Sequence, residues 1–396
     1  MPDPNIDELN ATTLFELFPR VVKDNYFLGT PLLAYIRDHC LVPFRGGSFM
    51  QNTFLFQPML GTAYQTGDTF NIQKQQTLAA TRFDPKKYEV SVPEFLEDIE
   101  ITNRGPLAVF SRVKSDLQNA IMTLNAMIAI DMNNHGQASG GSVVSNRISH
   151  INGWEEALND GVTNSYNGNI FTTYGGQLRN GVIKKALNSV PVWFGDQLGN
   201  AGMLAYAGME EMYQNACINS ATPGGSGEPD LGVSNKAGYA FAKERMQVQQ
   251  VFSQERDPIW GMMGFRFGSA MVLKDDYFPS MKYGYNDPFL GNYLTQTPGV
   301  SPWTSGPAPA SASGLPANTA INPAEVFAFF NTRSNGKEDD SKNLLFRVSD
   351  SALFGGGFTG FKPAQDSTKV VGQVLLGANM EFTSCRLHVY GYGIGS

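Results

Sequence analysis

Leu107, Phe110, Val113, Leu117, Ile121, Leu124, Ile128 and Met132 follow one another at steps of three or four residues, a single unbroken apolar stripe. Asn103 is placed to cap such a helix, Pro106 falls in its first turn, and Asn133, Asn134 and Gly136 supply the stop. About 28 residues at roughly 1.5 Å each make a rod on the order of 40 Å long. A rod of that length does not fit inside a compact two-layer domain. It must run along one as a spine, with the rest of the chain arranged about it.

Residues 1–50 read as an arm. Pro2, Pro4, Pro19, Pro31 and Pro43 interrupt it, and one short helix stands out, with Thr30 as its cap, Pro31 in the first position and Leu32, Leu33 and Ile36 facing inward. Across residues 51–101 the apolar period falls to two: Phe54 and Phe56, then Phe70 and Ile72, then Tyr88, Val90 and Val92. The Gln/Thr-rich centre, Gln65 to Thr81, carries few large hydrophobes, so the segment is expected to be a two-stranded excursion resting on another surface.

Beyond the spine, a Gly/Ser loop (137–149) leads to a short helix with Asn152 as cap and Trp154 and Leu158 inward. Helices are predicted over 201–217 and 236–246, the second capped by Asn235, and a strand over 265–273. Residues 297–323 are rich in Pro, Ala and Ser and read as an exposed insertion. Near the end Val374, Leu376, Ala378, Met380 and Phe382 are apolar at even positions, then Cys385, Leu387 and Val389 at odd ones. That phase flip at 383–384 predicts a β-bulge in one long strand or a bend between two sheets. The class is α+β, and no repeat of 20 to 50 residues is present.

The chemistry-bearing patterns are sparse. Gly355-Gly356-Gly357-Phe358-Thr359-Gly360 matches a dinucleotide loop formally, but Phe361-Lys362-Pro363 opens no helix to receive a pyrophosphate, and a turn is the better reading. His39, His135, His150 and His388 share no ligand spacing, and His135 sits where a helix C-terminus favours a cation. The acidic runs Glu97-Asp98-Glu100 and Glu338-Asp339-Asp340 read as solvated turns. No catalytic residue, cofactor or metal ligand is nominated. Cys40, Cys217 and Cys385 are scattered and odd in number, against a disulfide framework and in favour of synthesis in a reducing cytosol. The N-terminus lacks signal-peptide regions and no stretch is apolar enough to span a membrane.

Charge narrows the function classes further. Asp and Glu outnumber Lys and Arg by 36 to 29, which disfavours tight binding to nucleic acid through phosphate neutralisation. Only 16% of residues are charged, a surface suited to burial against other protein. On the excursion, Arg82, Lys86 and Lys87 interleave with Phe83 and Tyr88, a combination used to bind single-stranded nucleic acid. Asp84 and Glu89 dilute it, so an intersubunit contact strip is the preferred reading.

The order of elements, and several local stretches, carry a resemblance. Thr66-Gly67-Asp68-Thr69-Phe70 and Tyr88-Glu89-Val90-Ser91-Val92 look like the two sides of an extended loop, and Ile151-Asn152-Gly153-Trp154-Glu155 with Thr173-Tyr174-Gly175-Gly176 resembles the stretch after a spine helix. Phe327-Ala328-Phe329-Phe330-Asn331-Thr332 and Gly377-Ala378-Asn379-Met380 are similar to late strands of the same pattern. Together they resemble the major capsid protein of tailed bacteriophages, the Hong Kong 97-like shell fold, over about residues 20–390.

That resemblance implies an arm (1–50), an extended β loop (51–101), a peripheral domain with the spine (102–170), an axial domain (171–325) and return strands (326–396). It implies a structural, non-enzymatic subunit that self-assembles as pentamers and hexamers into an icosahedral or prolate capsid around double-stranded DNA, without specific DNA binding. The virion would be its location, after synthesis in the host bacterial cytoplasm, and portal, scaffolding and decoration proteins its partners. Tyr64, Phe70, Lys74, Arg82, Phe83, Lys86 and Lys87 would form the subunit contact, and Leu107, Phe110, Val113, Leu117, Ile121, Leu124 and Ile128 the spine core. Some members of the family crosslink a loop lysine; Lys74 lies on the loop, with no acceptor identified. The competing readings are an encapsulin-like shell around protein cargo and a β-rich enzyme or carbohydrate-binding module, which would have no need of the long helix.

Overall fold

The computed structural model describes residues 29–69, 73–95, 112–136, 148–163, 165, 170–181, 183, 187, 189, 192–193, 206–217, 227–236, 238–240, 242–243, 254–256, 263–279, 325–333, 342–363 and 368–394. The elements begin with α1 (Pro31–His39), β1 (Leu41–Phe44), β2 (Met50–Leu55), β3 (Leu78–Phe83), β4 (Lys86–Phe95), α2 (Arg112–Met132) and α3 (Trp154–Ala157). They continue with β5 (Thr173–Tyr174), β6 (Gln177–Leu178), β7 (Val192–Trp193), α4 (Tyr206–Ala216), β8 (Leu231–Ser234), β9 (Gln254–Arg256), β10 (Met263–Phe267) and β11 (Ala270–Lys274). The last are β12 (Glu325–Phe330), β13 (Leu344–Ser349), β14 (Gly355–Phe358), β15 (Lys362–Pro363), β16 (Lys369–Phe382) and β17 (Val389–Ile394).

Two sheets organise the chain. In the first, β16 is the axis: β4 runs antiparallel along one edge from Phe95↔Lys369 to Lys86↔Ala378, and β13, β14 and β15 follow one another along the other, with β1 beyond β13. The second has the order β7-β17-β12-β8-β11-β10-β9. The apolar phase flip after Phe382 is the junction between them: a short 3-10 turn, Cys385–Leu387, carries the chain from β16 to β17 in the second sheet. The bend was the correct one of the two expectations there.

Packing follows the apolar faces. Leu32, Leu33 and Ile36 of α1 are buried, as expected, but Thr30 makes no side-chain cap. The carboxylate of Asp275 takes that place from across the fold, accepting the Leu32 N–H at 2.8 Å. In α2 the stripe is buried at Leu124 and Ile128 but only half-buried at Leu117, and Ile121 is 42% exposed, so the expectation of a continuous core stripe fails in the outer half of the helix. Leu107 and Phe110 lie outside the described residues, and Val113 is placed only as backbone. The helix stops where expected: Asn133 and Asn134 turn their amides back onto the carbonyls of Ala129 and Ile130.

Three further expectations are corrected. Gly153, not Asn152, is the cap residue of α3. The strand predicted over 265–273 is a hairpin, β10 and β11, turning at Gly268 with φ +58°. Residues 86–95 belong to the first sheet rather than to the loop, whose returning strand is β3. Helical residues at 236, 238–240 and 242–243 do carry the expected cap, with Asn235 Oδ1 accepting the Gly238 N–H at 2.8 Å. Phe70, Ile72, the acidic runs 97–100 and 338–340 and the insertion 297–323 lie outside the described residues.

Candidate assembly surface

Gly175 decides where the β2–β3 hairpin sits. Its φ is +53°, and a Cβ there would lie 2.5 Å from Thr81 and 2.8 Å from Phe83, so only glycine lets the two chains touch. Its carbonyl accepts the Arg82 N–H at 2.9 Å, and Gln177 Nε2 donates to the Ala80 carbonyl at 2.7 Å. Met50 and Phe83 are buried at the base, the Phe83 ring meeting Tyr174 edge-on at 5.1 Å. Phe83 is therefore a core residue, which corrects its assignment to a subunit contact.

Outward from that base no described residue covers the hairpin. Leu55 is 71% exposed, Met59 81%, Tyr64 65% and Leu78 53%, with Leu60 also exposed. Leu55, Phe56, Pro58 and Met59 line an open recess of about 400 Å³. A contiguous apolar patch carried away from the body is the mark of a surface made to be covered. The expectation for the loop, alternation at Phe54 and Phe56 around a polar centre, does not include this patch. The run Phe54-Leu55-Phe56-Gln57-Pro58-Met59-Leu60 is its signal: too apolar for a solvated turn, and broken by Pro58 just beyond the end of β2 at Leu55.

The remaining candidates separate. Tyr64 and Lys74 are exposed on the loop, and Arg82 is exposed with its guanidinium 4.9 Å above the Phe49 ring. Lys86 and Lys87 stand on β4, where Lys86 Nζ donates to the Ile148 carbonyl at 2.6 Å. The basic residues are thus divided between the hairpin and the first sheet.

Buried polar groups serve the fold. His135 Nδ1 meets Glu155 Oε2 at 2.9 Å, and Glu155 also accepts from Ser165. Arg179, 6% exposed, donates to the carbonyls of Glu156, Ala157, Phe171 and Leu187, tying α3 to the segment that seats the hairpin. Burial raises the Glu156 carboxyl, opposed by bonds from Asn152 and Gly136. Burial likewise pushes the Cys385 thiol up to about 11 and Cys40 higher still, so neither is a nucleophile near neutrality. His388 is buried, accepts the Asn331 N–H on Nδ1 at 3.1 Å and is held neutral, burial lowering it to about 3. Among the described residues no group of three or more His, Cys, Asp or Glu is arranged to hold a metal, and no helix is long and apolar enough to cross a membrane. The glycine run 355–360 supplies β14 at the sheet and opens no helix.

Two linked sheets and a hairpin arranged in this way are found in solved structures of capsid and encapsulin proteins. The capsid protein of cyanophage A-1(L) superposes with a TM-score of 0.58 at 13% identity, over 98% of this chain and 99% of its own. The SrpI encapsulin of Synechococcus elongatus PCC 7942 in its holo complex gives 0.54 at 8% identity, over 100% and 96%. The capsid of an empty GTA particle gives 0.50 at 8% identity, over 95% and 92%. No protein-family model and no curated protein matches the sequence. The chain is α+β and has the Hong Kong 97-like capsid fold.

Proposed function

We propose that the chain is the structural subunit of a tailed bacteriophage capsid, self-assembling through pentamers and hexamers into an icosahedral or prolate shell around double-stranded DNA. The observation that carries this is the β2–β3 hairpin: firmly seated at Gly175, it carries an exposed apolar patch that the described residues of its own chain leave uncovered. A second copy supplies the cover in a closed assembly, where each subunit both offers and receives the same contact. Fold likeness along the whole chain to the cyanophage A-1(L) capsid protein supports the choice of shell.

Residues 1–50 act as the arm and the long helix as the spine. The loop, reduced to the hairpin by the pairing of 86–95, leaves 102–170 to the peripheral domain, 171–325 to the axial domain and 326–396 to the return strands. The role is structural rather than enzymatic, in the virion, with synthesis in the host cytoplasm and portal, scaffolding and decoration proteins as partners. The net acidity fits a wall that encloses DNA without binding it specifically.

The likeness to the SrpI encapsulin supports a second reading, a shell around protein cargo. Electron microscopy of the expressed protein, followed by nuclease treatment and extraction of particles from infected cells, tests both. Shells with five- and six-fold units that protect DNA are expected. A monomer at micromolar concentration under varied salt and crowding overturns any shell, and nucleic-acid-free particles with a packaged protein favour the cargo reading.

A further inference from the structure

Residues 31–44 bridge the two sheets, and a buried carboxyl that pairs with no cation among the described residues holds one end of the bridge. Strand β1 pairs in parallel with β13 at the edge of the first sheet. Helix α1, immediately before it, lies against the second sheet, where β8 and β11 are parallel neighbours. Asp230 precedes β8 and Asp275 follows β11, so the two acids bracket that strand pair. The helix has nine residues, about 13 Å, which matches four residues of strand at about 3.3 Å each. Its first turn meets Asp275 through the Leu32 N–H at 2.8 Å, and Tyr35 Oη reaches Asp230 at 3.5 Å.

Asp275 is 1% exposed. Its second oxygen accepts the Tyr277 N–H at 2.7 Å. Among the described residues the charged groups around it are directed elsewhere. Asp276, the adjacent acid, meets Lys236 at 3.5 Å and Lys274 at 3.6 Å, while Arg37, Asp38 and His39 occupy the far end of α1. A carboxylate enclosed this way has three backbone N–H dipoles, from Leu32, Tyr277 and Phe278, and no cation among the described residues to offset its desolvation.

We propose that residues 31–44 form a proton-linked strap between the two sheets, in which docking of α1 encloses Asp275 and takes up a proton there. The strap tightens as pH falls through neutrality and loosens above it. Burial first, then the Asp276 charge, raise the Asp275 carboxyl to about 7, against the lowering influence of the Leu32, Tyr277 and Phe278 N–H groups. The sign follows: the docked form binds the proton more tightly than the released one, so docking gains between about 7 and the ordinary 3.8 as pH falls. The device depends on this chain alone and stands apart from the shell reading.

Hydrogen exchange by mass spectrometry on the full chain, with intrinsic rates divided out, tests it. Protection of a peptide covering 31–39 should fall about tenfold from pH 6 to pH 8 in the wild type, as expected for one site titrating midway. A peptide covering 369–382 should stay constant, and Asp275→Asn should flatten the response at 31–39. Equal change in both peptides, no change in either, or an unaltered slope in Asp275→Asn overturns the proposal. If Asp275→Asn fails to fold, Asp276→Asn decides: a midpoint moved to lower pH supports the strap, and an unmoved one overturns it.

Discussion

Asn152 and Asn379, 227 positions apart, exchange hydrogen bonds through their amides in the buried seam between α3 and the first sheet. Asn379 Nδ2 donates to Asn152 Oδ1 at 2.8 Å, and the Asn152 N–H returns to Asn379 Oδ1 at 2.9 Å. The same Asn379 amide donates to the Asp84 carbonyl at 2.8 Å and accepts the Met380 N–H, so one side chain joins β16, the β3–β4 turn and the entry to α3.

Asn379→Asp keeps the shape of that side chain and removes both donors. It sets a carboxylate oxygen against the Asp84 carbonyl and Asn152 Oδ1 in a site with no exposure. A loss of about 3 kcal/mol is expected, the cost of unpaired and mutually repelling buried polar groups. Urea denaturation of the unassembled chain measures it, and a loss below about 1 kcal/mol would mean the seam carries little of the fold.

Gly153 lies against the end of α2 so closely that a Cβ would stand 2.0 Å from the Asn134 carbonyl oxygen and 2.5 Å from that of Met132. Its backbone is extended, so the obstacle is space, and the obstructing atoms are main chain that cannot move aside. Gly153→Ala should cost about 4 kcal/mol or more and leave little soluble protein. Gly181→Ala is the contrast: φ is +51° with nothing within 4 Å, which predicts a loss of about 1 kcal/mol from backbone strain alone. Thermal denaturation of the two variants should separate them clearly.

These tight seams mark the boundary of what the sequence could tell. Period three to four located α1 and the inner half of α2, because burial at Leu32, Ile36, Leu124 and Ile128 leaves a local pattern. Period two found β4 and β16 and even the turn between the two sheets. It gave no hint that Tyr88 pairs with Leu376, since alternation records a buried face and not a partner. Ile121 shows the converse: an apolar residue in perfect phase is exposed, because phase records a face of the helix and not what lies against it. Asn379, Arg179, Glu155 and Glu156 were invisible because a buried polar residue is stabilised by partners distant in sequence, and nothing nearby in the chain announces them. On the hairpin, Phe83 and Leu78 look alike in sequence. Only the approach of Gly175 turns the first into core and leaves the second as candidate contact.

His388 gives the fold a limit toward acid. Its imidazole is buried beside Phe382, with ring centres 4.9 Å apart, and burial lowers it from 6.5 to about 3. The unfolded chain therefore binds a proton that the folded chain refuses, and stability is lost as pH falls from about 6.5 toward 3. The slope attributable to this group is about 1.4 kcal/mol per pH unit at most. Asp275 acts in the opposite sense over about 4 to 7, so the two offset in the wild type. In His388→Gln, stability measured by denaturant melts should rise rather than stay level as pH is lowered from 6.5 to 4.5. A parallel decline in variant and wild type would assign acid sensitivity elsewhere.

The hairpin separates folding from assembly, and the structure sets where the cut must fall. Leu78–Ala80 pair with Thr53–Leu55, so a deletion reaching Ala80 would remove half of β3 along with the bond from Gln177. Replacing residues 59–74 with a short Gly/Ser turn spares both strands and the Gly175 seat while removing Met59, Leu60, Tyr64 and Lys74. None of those four stands among the buried core residues, so circular dichroism should be unchanged and the melting temperature should move by only a few degrees. On the proposed function shell formation should fail, because Met59, Leu60 and Tyr64, the outer part of the proposed contact patch, are cut away. Leu55→Ser with Leu78→Ser, both on the exposed face, should weaken assembly without abolishing the fold. Intact shells from the shortened chain would remove the hairpin from the subunit contact. Loss of the fold would instead place the tip in the chain's own core, contrary to its exposure.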